Sequence, residues 1–467
     1  MYEELLNDLV KTELSFELSN DQYIILLAIF SILESDGFQE ITLSGSAGTG
    51  KTELIKIINK FCIVRNLNCQ FAAPTHKAAE VLSSKLEVLN SVKTIHQLLN
   101  LTTKINIIDF DFKNIIFENV ADVIFSKNQI IIIDECSMIN DSLYDKLIEL
   151  AKKFNCKILF VGDIAQLSPV NSKNIAKTFN CENHFQLIDI HRQSKNSALL
   201  DTLNILRTKV KSTFNETISN NGSIYCYNSW RKFLSTNINL FKNSILKRDP
   251  NNIKLLAYTN KRVSVFNQLI RNMLFGELSP EYMDYEIITA YDTLYDECKN
   301  PIIINSCDYI IKSRKHVANY KLNKIIVIGW ELYLWDSRFK HLSKVFVLSR
   351  NNPSKVFDQL AESLEQCRID AISNNKSTST RSKYWRKYFD FNKSFLTPFD
   401  LIYNERIVKK KSIDYGYAIS VHRSQGSTFN NVLIDMGNIN KCYNKEELRQ
   451  LQYVALSRTQ NDVHLLF

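Results

Sequence analysis

Residues 45–52 read Gly-Ser-Ala-Gly-Thr-Gly-Lys-Thr, a glycine-punctuated run that ends in a lysine and a hydroxyl. Such a run suits a triphosphate. Glycines let backbone N–H groups close around phosphate oxygens, Lys51 adds a compact positive charge toward the β- and γ-phosphates, and Thr52 offers a hydroxyl to Mg²⁺. Gly45, Ser46, Ala47, Gly48, Thr49 and Gly50 are therefore candidate phosphate contacts beside Lys51 and Thr52. A second constellation, Asp134-Glu135, ends the apolar run 129–133. Asp134 can hold the water shell of the metal while Glu135 polarises the attacking water, a division of labour that phosphoryl transfer to water requires. The plainer use of an acidic strand end is to cap the next helix, which Ser137 could also do. Beside a phosphate loop the catalytic use is favoured, and together the two motifs specify a nucleoside triphosphatase and nothing narrower.

Those residues need strands to carry them. Residues 40–44 form a short apolar run before the glycine loop, and the helix expected after it places Leu54, Ile57, Ile58 and Phe61 on one face. Runs 129–133 and 157–161 are apolar after their first residue and lead into Asp134 and Asp163, as buried parallel strands with functional groups at their carboxyl ends would. The pattern predicts a doubly wound α/β domain. Strand candidates at 253–257, 432–436 and 463–467 predict a second α/β layer. Between them, from about 301 to 395, the aromatic run IVIGWELYLW and the polar segment SNNKSTSTRSKYWRKYF predict a small β-rich insertion with a helical or loop appendage.

Composition bounds the rest. At 467 residues the chain has room for about three domains, and 45% hydrophobic with 23% charged residues excludes a disordered, collagenous or rod-like chain. A net charge of +9 permits a polyanionic partner without demanding one. The ten cysteines include no CxxC pair, so neither a zinc site nor a thioredoxin-type centre is expected. The acidic start MYEELLNDLV is unlike a basic leader. The longest apolar stretch, residues 23–33, is about half the roughly 20 residues a bilayer span takes. The expectation is a cytoplasmic protein, or one in host cytoplasm if viral, with no membrane partner.

Further motifs narrow the reading. APTHKAA from Ala73, TIHQLL from Thr94, GDIAQLSPV from Gly162, IHRQ around Arg192, AYTNK from Ala257, VHRSQGST from Val421 and YVALSR ending at Arg458 follow one another along nearly the whole chain. In this order they resemble the motif ladder of superfamily 1B helicases of the RecD/Dda group. The resemblance implies an α/β fold of two RecA-like P-loop domains. Domain 1A would take 1–195 with a β-hairpin pin (1B) at about 99–122, domain 2A would take 196–300 and 396–467, and an SH3-like insertion (2B) would take 301–395. It implies an ATP-dependent DNA helicase, a monomer that translocates 5′ to 3′ on single-stranded DNA, acts at forks and uses ATP and Mg²⁺. Replication or recombination proteins would be its associates.

Carried over residue by residue, Gln22 in LSNDQ reads the adenine edge, Gln166 senses the γ-phosphate, and Arg192 and Arg458 are arginine fingers, whose forked donors suit a transferring phosphoryl group. Gln425 and Gly426 fall on the nucleotide side. Thr75, His76, Lys77 and His96, then Thr259, Asn260, His422, Arg423, Ser424, Thr428 and again Gln425, line the nucleic-acid track, where small polar groups grip phosphates without reading sequence. An isolated threonine is as readily a helix cap. Phe110 and Phe112 lie where this group places its pin, although 101–120 contain neither Gly nor Pro to mark a turn, and packing into the core serves these rings as well as a wedge role does. His191 is expected to pack or lie on the surface. Trp385, among Lys383, Arg386 and Lys387, could stack on a base, brace the insertion, or simply anchor a solvated basic face. Lys409, Lys410 and Lys411 read as a solvated run with some pull on phosphate. Two other readings stay open: a RecD-like subunit beside a nuclease, and an ATP-switched single-strand binder that does not unwind. RNA is not excluded as the substrate.

Overall fold

The computed structural model describes residues 2–13, 17–86, 92–104, 116–119, 125–169, 175–188, 198–211, 213–219, 222–296, 301–336, 341–373 and 378–467. The expected strands form, and the first three build one parallel sheet. Its order is Lys93–Thr94, Cys69–Ala73, Ile130–Ile133, Lys157–Gly162, Gln39–Gly45, Asn183–Leu187, with Ile41 opposite Leu159 on one side and Asn183 on the other. Alternate side chains explain the layering. Ile130, Ile132, Leu159 and Val161 enter one apolar cluster, with Leu54, Ile57, Ile58 and Phe61 from the helix after the loop. Ile131, Ile133, Ile158 and Phe160 enter another on the opposite face, with Leu147 and Ala151. A strand buried on both faces needs helices on both, and each fully buried isoleucine contributes about 1.5–3 kcal/mol. Phe30 stacks on Phe61 with centroids 3.8 Å apart, fixing the Asn20–Glu34 helix against the Lys51–Val64 helix.

Contacts divide the chain into two compact units, one holding Met1–Lys104, Ile116–Asn228 and Ser424–Phe467, the other Ser229–Arg423. In the first, Ile224–Tyr227, Val463–Leu466 and Asn431–Asp435 pair in parallel. Leu101–Lys104 and Ile116–Asn119 form a two-stranded antiparallel ladder. Phe110 and Phe112, between them in sequence, lie outside the described residues.

His464, 7% exposed, stacks on Tyr225 at 4.8 Å and shares a 3.1 Å hydrogen bond through Nδ1 with the Tyr227 hydroxyl. Burial pushes its imidazole down to about 4, against a small opposing pull from Asp462. A depressed folded value means stability that is full above about 6.5 and lost as pH falls toward 4. His464→Gln should therefore flatten the acid limb of the stability curve by up to about 3 kcal/mol between pH 7 and pH 4. Denaturant unfolding at the two pH values checks this, and parallel losses in both proteins would contradict it.

In the second unit Ile253–Ala257 pairs in parallel with Ala418–Ser420. A five-stranded sheet runs His341–Leu348, Ile325–Asp336, Asp308–Leu322, Ile287–Ala290, Ile413–Tyr415, antiparallel throughout. The β texture of 301–395 thus belongs to a sheet that also draws strands from either side of that stretch. Gly329, in the aromatic run, has no room for a Cβ, which would collide with the Phe346 ring and the Val347 carbonyl. Helices Ser354–Ser373 and Thr378–Lys393 pack on this sheet through Leu360, Leu364, Tyr388 and Phe391, against Leu322, Val327, Phe346 and Leu348.

Trp385 belongs to that packing, 5.8 Å from both Tyr388 and Phe389, which is the anchoring alternative. The lysine run is not uniformly solvated. Lys409 is buried with its Nζ on the Asn392 carbonyl and side chain, and burial lowers its ammonium to about 8. Lys411 is tied to Asp414 at 2.8 Å and to Ser264 at 2.9 Å. In the strand Arg406–Lys409 the last two residues, Val408 and Lys409, are both buried while Ile407 is exposed, and composition alone could not show which.

Candidate active site

The Gln39–Gly45 strand ends at the loop, and the Lys51–Val64 helix begins at its far side, with its positive dipole end facing the turn. Gly48 and Gly50 have φ of +88° and +85°, the left-handed region in which only glycine is unstrained. A Cβ on Gly45 would stand 2.5 Å from Thr49 Oγ1. Lys51 Nζ donates to the carbonyls of Gly45 at 2.6 Å and Ser46 at 2.9 Å, so the ammonium is folded over the loop.

Gln22 supports this loop from below. It is 1% exposed. Its Nε2 donates to Thr49 O at 3.0 Å and its Oε1 accepts from Ser19 N at 3.0 Å, closing the capping box of the Asn20–Glu34 helix. The amide is thus engaged with backbone on both atoms, and the adenine contact remains what the resemblance implies.

Asp134 and Glu135 follow the Ile130–Ile133 strand. Asp134 Oδ1 accepts the Glu135 N–H at 2.8 Å. Glu135 itself has φ +54°, a left-handed conformation that costs a non-glycine residue about 1–3 kcal/mol and is characteristic of functional turns. Burial pushes both carboxyls above their usual range. Asp134 is drawn back by the Glu135 N–H, Lys51 and Lys85. Glu135 is raised further by Asp134 and Asp163, and drawn back by Arg458 and Lys51. Neither caps the next helix: Asn140 does so, accepting Leu143 N at 2.9 Å.

A cavity of about 670 Å³ brings these groups together. Lys51, Thr52, Asp134, Glu135, Gln166, Gly426 and Arg458 all line it, all within the first unit. Arg458, 5% exposed at the end of the Lys445–Ser457 helix, rests on the Ser427 carbonyl at 3.3 Å and on Ser457 Oγ at 2.9 Å. Gln166 Oε1 and Ser427 Oγ, both in the wall, are buried with no hydrogen-bond partner among the described residues, as are Ser46 Oγ and Gln425 Nε2 on adjoining residues. Buried polar atoms without partners are costly, and around a cavity they fit a polar ligand. Thr52 and Asp134 offer two oxygens for a hard cation whose remaining positions phosphates and water would fill. Arg192 and His191 lie outside the described residues.

Sequence reading missed the residue that ties this cavity together. Tyr453, 1% exposed, donates to Asp163 Oδ2 at 2.7 Å and accepts the Ala47 N–H of the phosphate loop at 3.4 Å. Three helical positions earlier, Gln450 exchanges hydrogen bonds with Ser168, both at 3.3 Å. The helix that carries Arg458 is thus fastened to the GDIAQLS segment and to the loop. The available signal was an aromatic with a polar tip inside a motif, which needs a partner once buried. Lys85, which also lines the cavity, left no signal.

The residues expected on a nucleic-acid track divide. In the first unit Thr75 caps the His76–Lys85 helix, accepting Ala78 N at 3.1 Å. His76 and His96 come close enough that His76 adds to the burial that lowers His96. Lys77 is 9% exposed. Two expectations are corrected. Thr428 lines the phosphate-loop cavity, and Ser424 is fully buried with no hydroxyl surface to offer a strand. Ser424 closes the 3-10 turn Val421–Ser424, and Thr428 lies four residues beyond it. In the second unit Thr259 caps Asn260–Phe275, accepting Arg262 N at 3.3 Å, and Thr259 and Asn260 are exposed. Tyr258 and His422 rings meet at 6.1 Å, which joins the AYTNK and VHRSQ segments. Arg423 lies 4.1 Å over the Tyr291 ring and donates to Asn305 Oδ1 at 2.8 Å.

Comparison with known proteins agrees with this geometry. A family model described as an AAA domain matches residues 18–229, and one described as a UvrD-like helicase C-terminal domain matches residues 415–466. An uncharacterized protein of Acanthamoeba polyphaga mimivirus, R530, is 26% identical over 472 residues, covering 89% of this chain and 93% of its own. The ATP-dependent DNA helicase dda of Enterobacteria phage T4 is 30% identical over 268 residues, 56% of this chain and 58% of that protein. The RecBCD enzyme subunit RecD of Buchnera aphidicola subsp. Schizaphis graminum is 25% identical over 478 residues, 91% of this chain and 70% of the subunit.

Proposed function

We propose that the chain is a superfamily 1B helicase of the RecD/Dda type that hydrolyses ATP to unwind DNA, a reading its similarity to an AAA domain, a UvrD-like helicase C-terminal domain, dda and RecD supports, and that the phosphate-loop cavity is its ATPase centre. The observation that carries this reading is the convergence of Lys51, Thr52, Asp134, Glu135, Gln166, Gly426 and Arg458, from five separate stretches of sequence, on one cavity wall. Lys51 exchanges the loop carbonyls for β- and γ-phosphate oxygens. Thr52 and Asp134 would hold Mg²⁺, which would supply neutralising charge to those oxygens. Glu135 accepts the proton of the attacking water as the new oxygen–phosphorus bond forms and the bond to the bridging oxygen breaks. Arg458 leaves Ser427 and donates two hydrogen bonds to the transferring phosphoryl group. Gln166, with its side-chain oxygen unpaired, faces the same group and relays its presence. Arg192 supplies the second guanidinium, as resemblance implies.

On this reading Thr75, His76, Lys77 and His96 in one unit, and Thr259, Asn260, His422 and Arg423 in the other, contact single-stranded DNA. Translocation runs 5′ to 3′, and the protein works as a monomer. ATP turnover measured with and without single-stranded DNA, at graded Mg²⁺, tests the centre. Turnover that requires Mg²⁺ and rises with DNA is expected, and turnover indifferent to either would refute it.

Tyr453 acts as a positioning residue. Tyr453→Phe leaves Asp163 Oδ2 and the Ala47 N–H without their shared partner and loosens the helix that aims Arg458. The expected result is a fall in kcat of about tenfold with KM for ATP within about threefold, the pattern of weakened transition-state stabilisation with ground-state binding intact. A purely structural role would lower the Tm and leave kcat unchanged.

A further inference from the structure

The Thr378–Lys393 helix has two faces of opposite character. Trp385, Tyr388, Phe389 and Phe391 pack into the apolar cluster beneath it. Lys383, Arg386 and Lys387, exposed and spaced i, i+3, i+4, share one stripe on the other side. With Asp390 they form one wall of a groove of about 480 Å³, and the strand end and turn at 320–323, carrying Lys321, form the other. Four cations face a single carboxylate, and none of the four forms an ion pair with a described residue.

Concentrated like charge does nothing for the stability of the fold. It repels itself, and it creates a local field that attracts an anion. The shape of the groove selects among anions. Single-strand grooves combine cations with exposed rings on which bases stack. Here the rings are largely taken up by packing: Tyr320, half-buried in the groove wall, is stacked on Phe346 at 3.7 Å, Phe391 is 7% exposed, and Tyr388 on the same helix is 2% exposed. What remains is a row of flexible ammonium groups and one forked guanidinium, which suits phosphates presented at regular spacing and offers nothing to bases.

We propose that this groove grips the sugar–phosphate backbone of duplex nucleic acid. It is a site separate from the ATPase cavity, and it rests on the helicase reading only for the supply of a duplex. The grip is blind to sequence, and each phosphate engaged releases counterions, so its signature is salt dependence.

The test is equilibrium binding of the full chain, without ATP, to a blunt duplex and to a single strand of equal length, over a salt series. The triple variant Lys383→Gln, Arg386→Gln, Lys387→Gln should bind the duplex at least about tenfold more weakly near 0.1 M salt. The slope of log affinity against log salt should become shallower by about 3, close to 0.9 for each phosphate that is no longer neutralised. Single-strand affinity and single-strand-stimulated ATP turnover should stay within about twofold. Lys321→Glu, on the opposite wall and outside the helix, should weaken duplex binding alone and keeps the test open if the triple variant fails to fold. Unchanged duplex affinity and slope would overturn the proposal, and so would equal losses on duplex and single strand, which would put a single strand in the groove. Wild-type protein with no DNA-stimulated turnover would sink the ATPase reading while leaving these isotherms to decide the groove.

Discussion

Lys51→Ala is expected to reduce ATP turnover by at least about 10²–10³-fold, the range found when one preorganised donor to developing negative charge is removed. The ammonium lies over the loop, bound only to the Gly45 and Ser46 carbonyls, and its charge reaches both Asp134 and Glu135. Alanine removes the point charge that would meet the β- and γ-oxygens and leaves two crowded carboxyls with less compensation. The fold should survive. Lys51 is the first residue of its helix, alanine is the strongest helix former, and the side chain makes no ion pair with a described residue. Steady-state phosphate release beside a thermal melt separates the two effects, and turnover within tenfold of wild type would remove the cavity from the mechanism.

Glu135→Gln should give the second large effect, a fall in kcat of about 10²–10⁴-fold from loss of the general base. The amide keeps the shape of the carboxyl and makes no new demand on the left-handed backbone at φ +54°. ATP and single-stranded DNA should therefore still bind. The protein should be held in its ATP-bound condition, with DNA dwell times lengthened by a comparable factor. Loss of ATP affinity in step with kcat would assign Glu135 to ground-state binding instead, and Asp134 would become the stronger candidate for the base.

Much of this centre was legible because its parts are local. A glycine run between strand and helix, and paired acids at the end of IIII, carry their geometry within a few residues. Alternation in the buried strands fixed both faces of the sheet, so Leu54, Ile57, Ile58 and Phe61 could be assigned to the core from spacing alone. What could not be read is what depends on distant chain. Gln22, a ligand contact by resemblance, also braces the loop, because Thr49 O lies within reach of its amide. Ser424 is buried at the end of a 3-10 turn that no residue type announces, and Thr428, four residues on, lines the cavity. Lys409 is buried by a helix that precedes it, and Tyr453 matters only because Asp163 and Ala47, some 290 and 406 positions away, meet at its hydroxyl.

Strand displacement on matched duplexes with a 5′ or a 3′ single-stranded tail, with ATP and with a non-hydrolysable analogue, reaches the central claim most directly. Separation of the 5′-tailed duplex with ATP, none with the analogue and little from the 3′ tail is the expected result. Vigorous DNA-stimulated hydrolysis that separates neither duplex would contradict it, and would leave a nucleotide-driven switch in place of a motor.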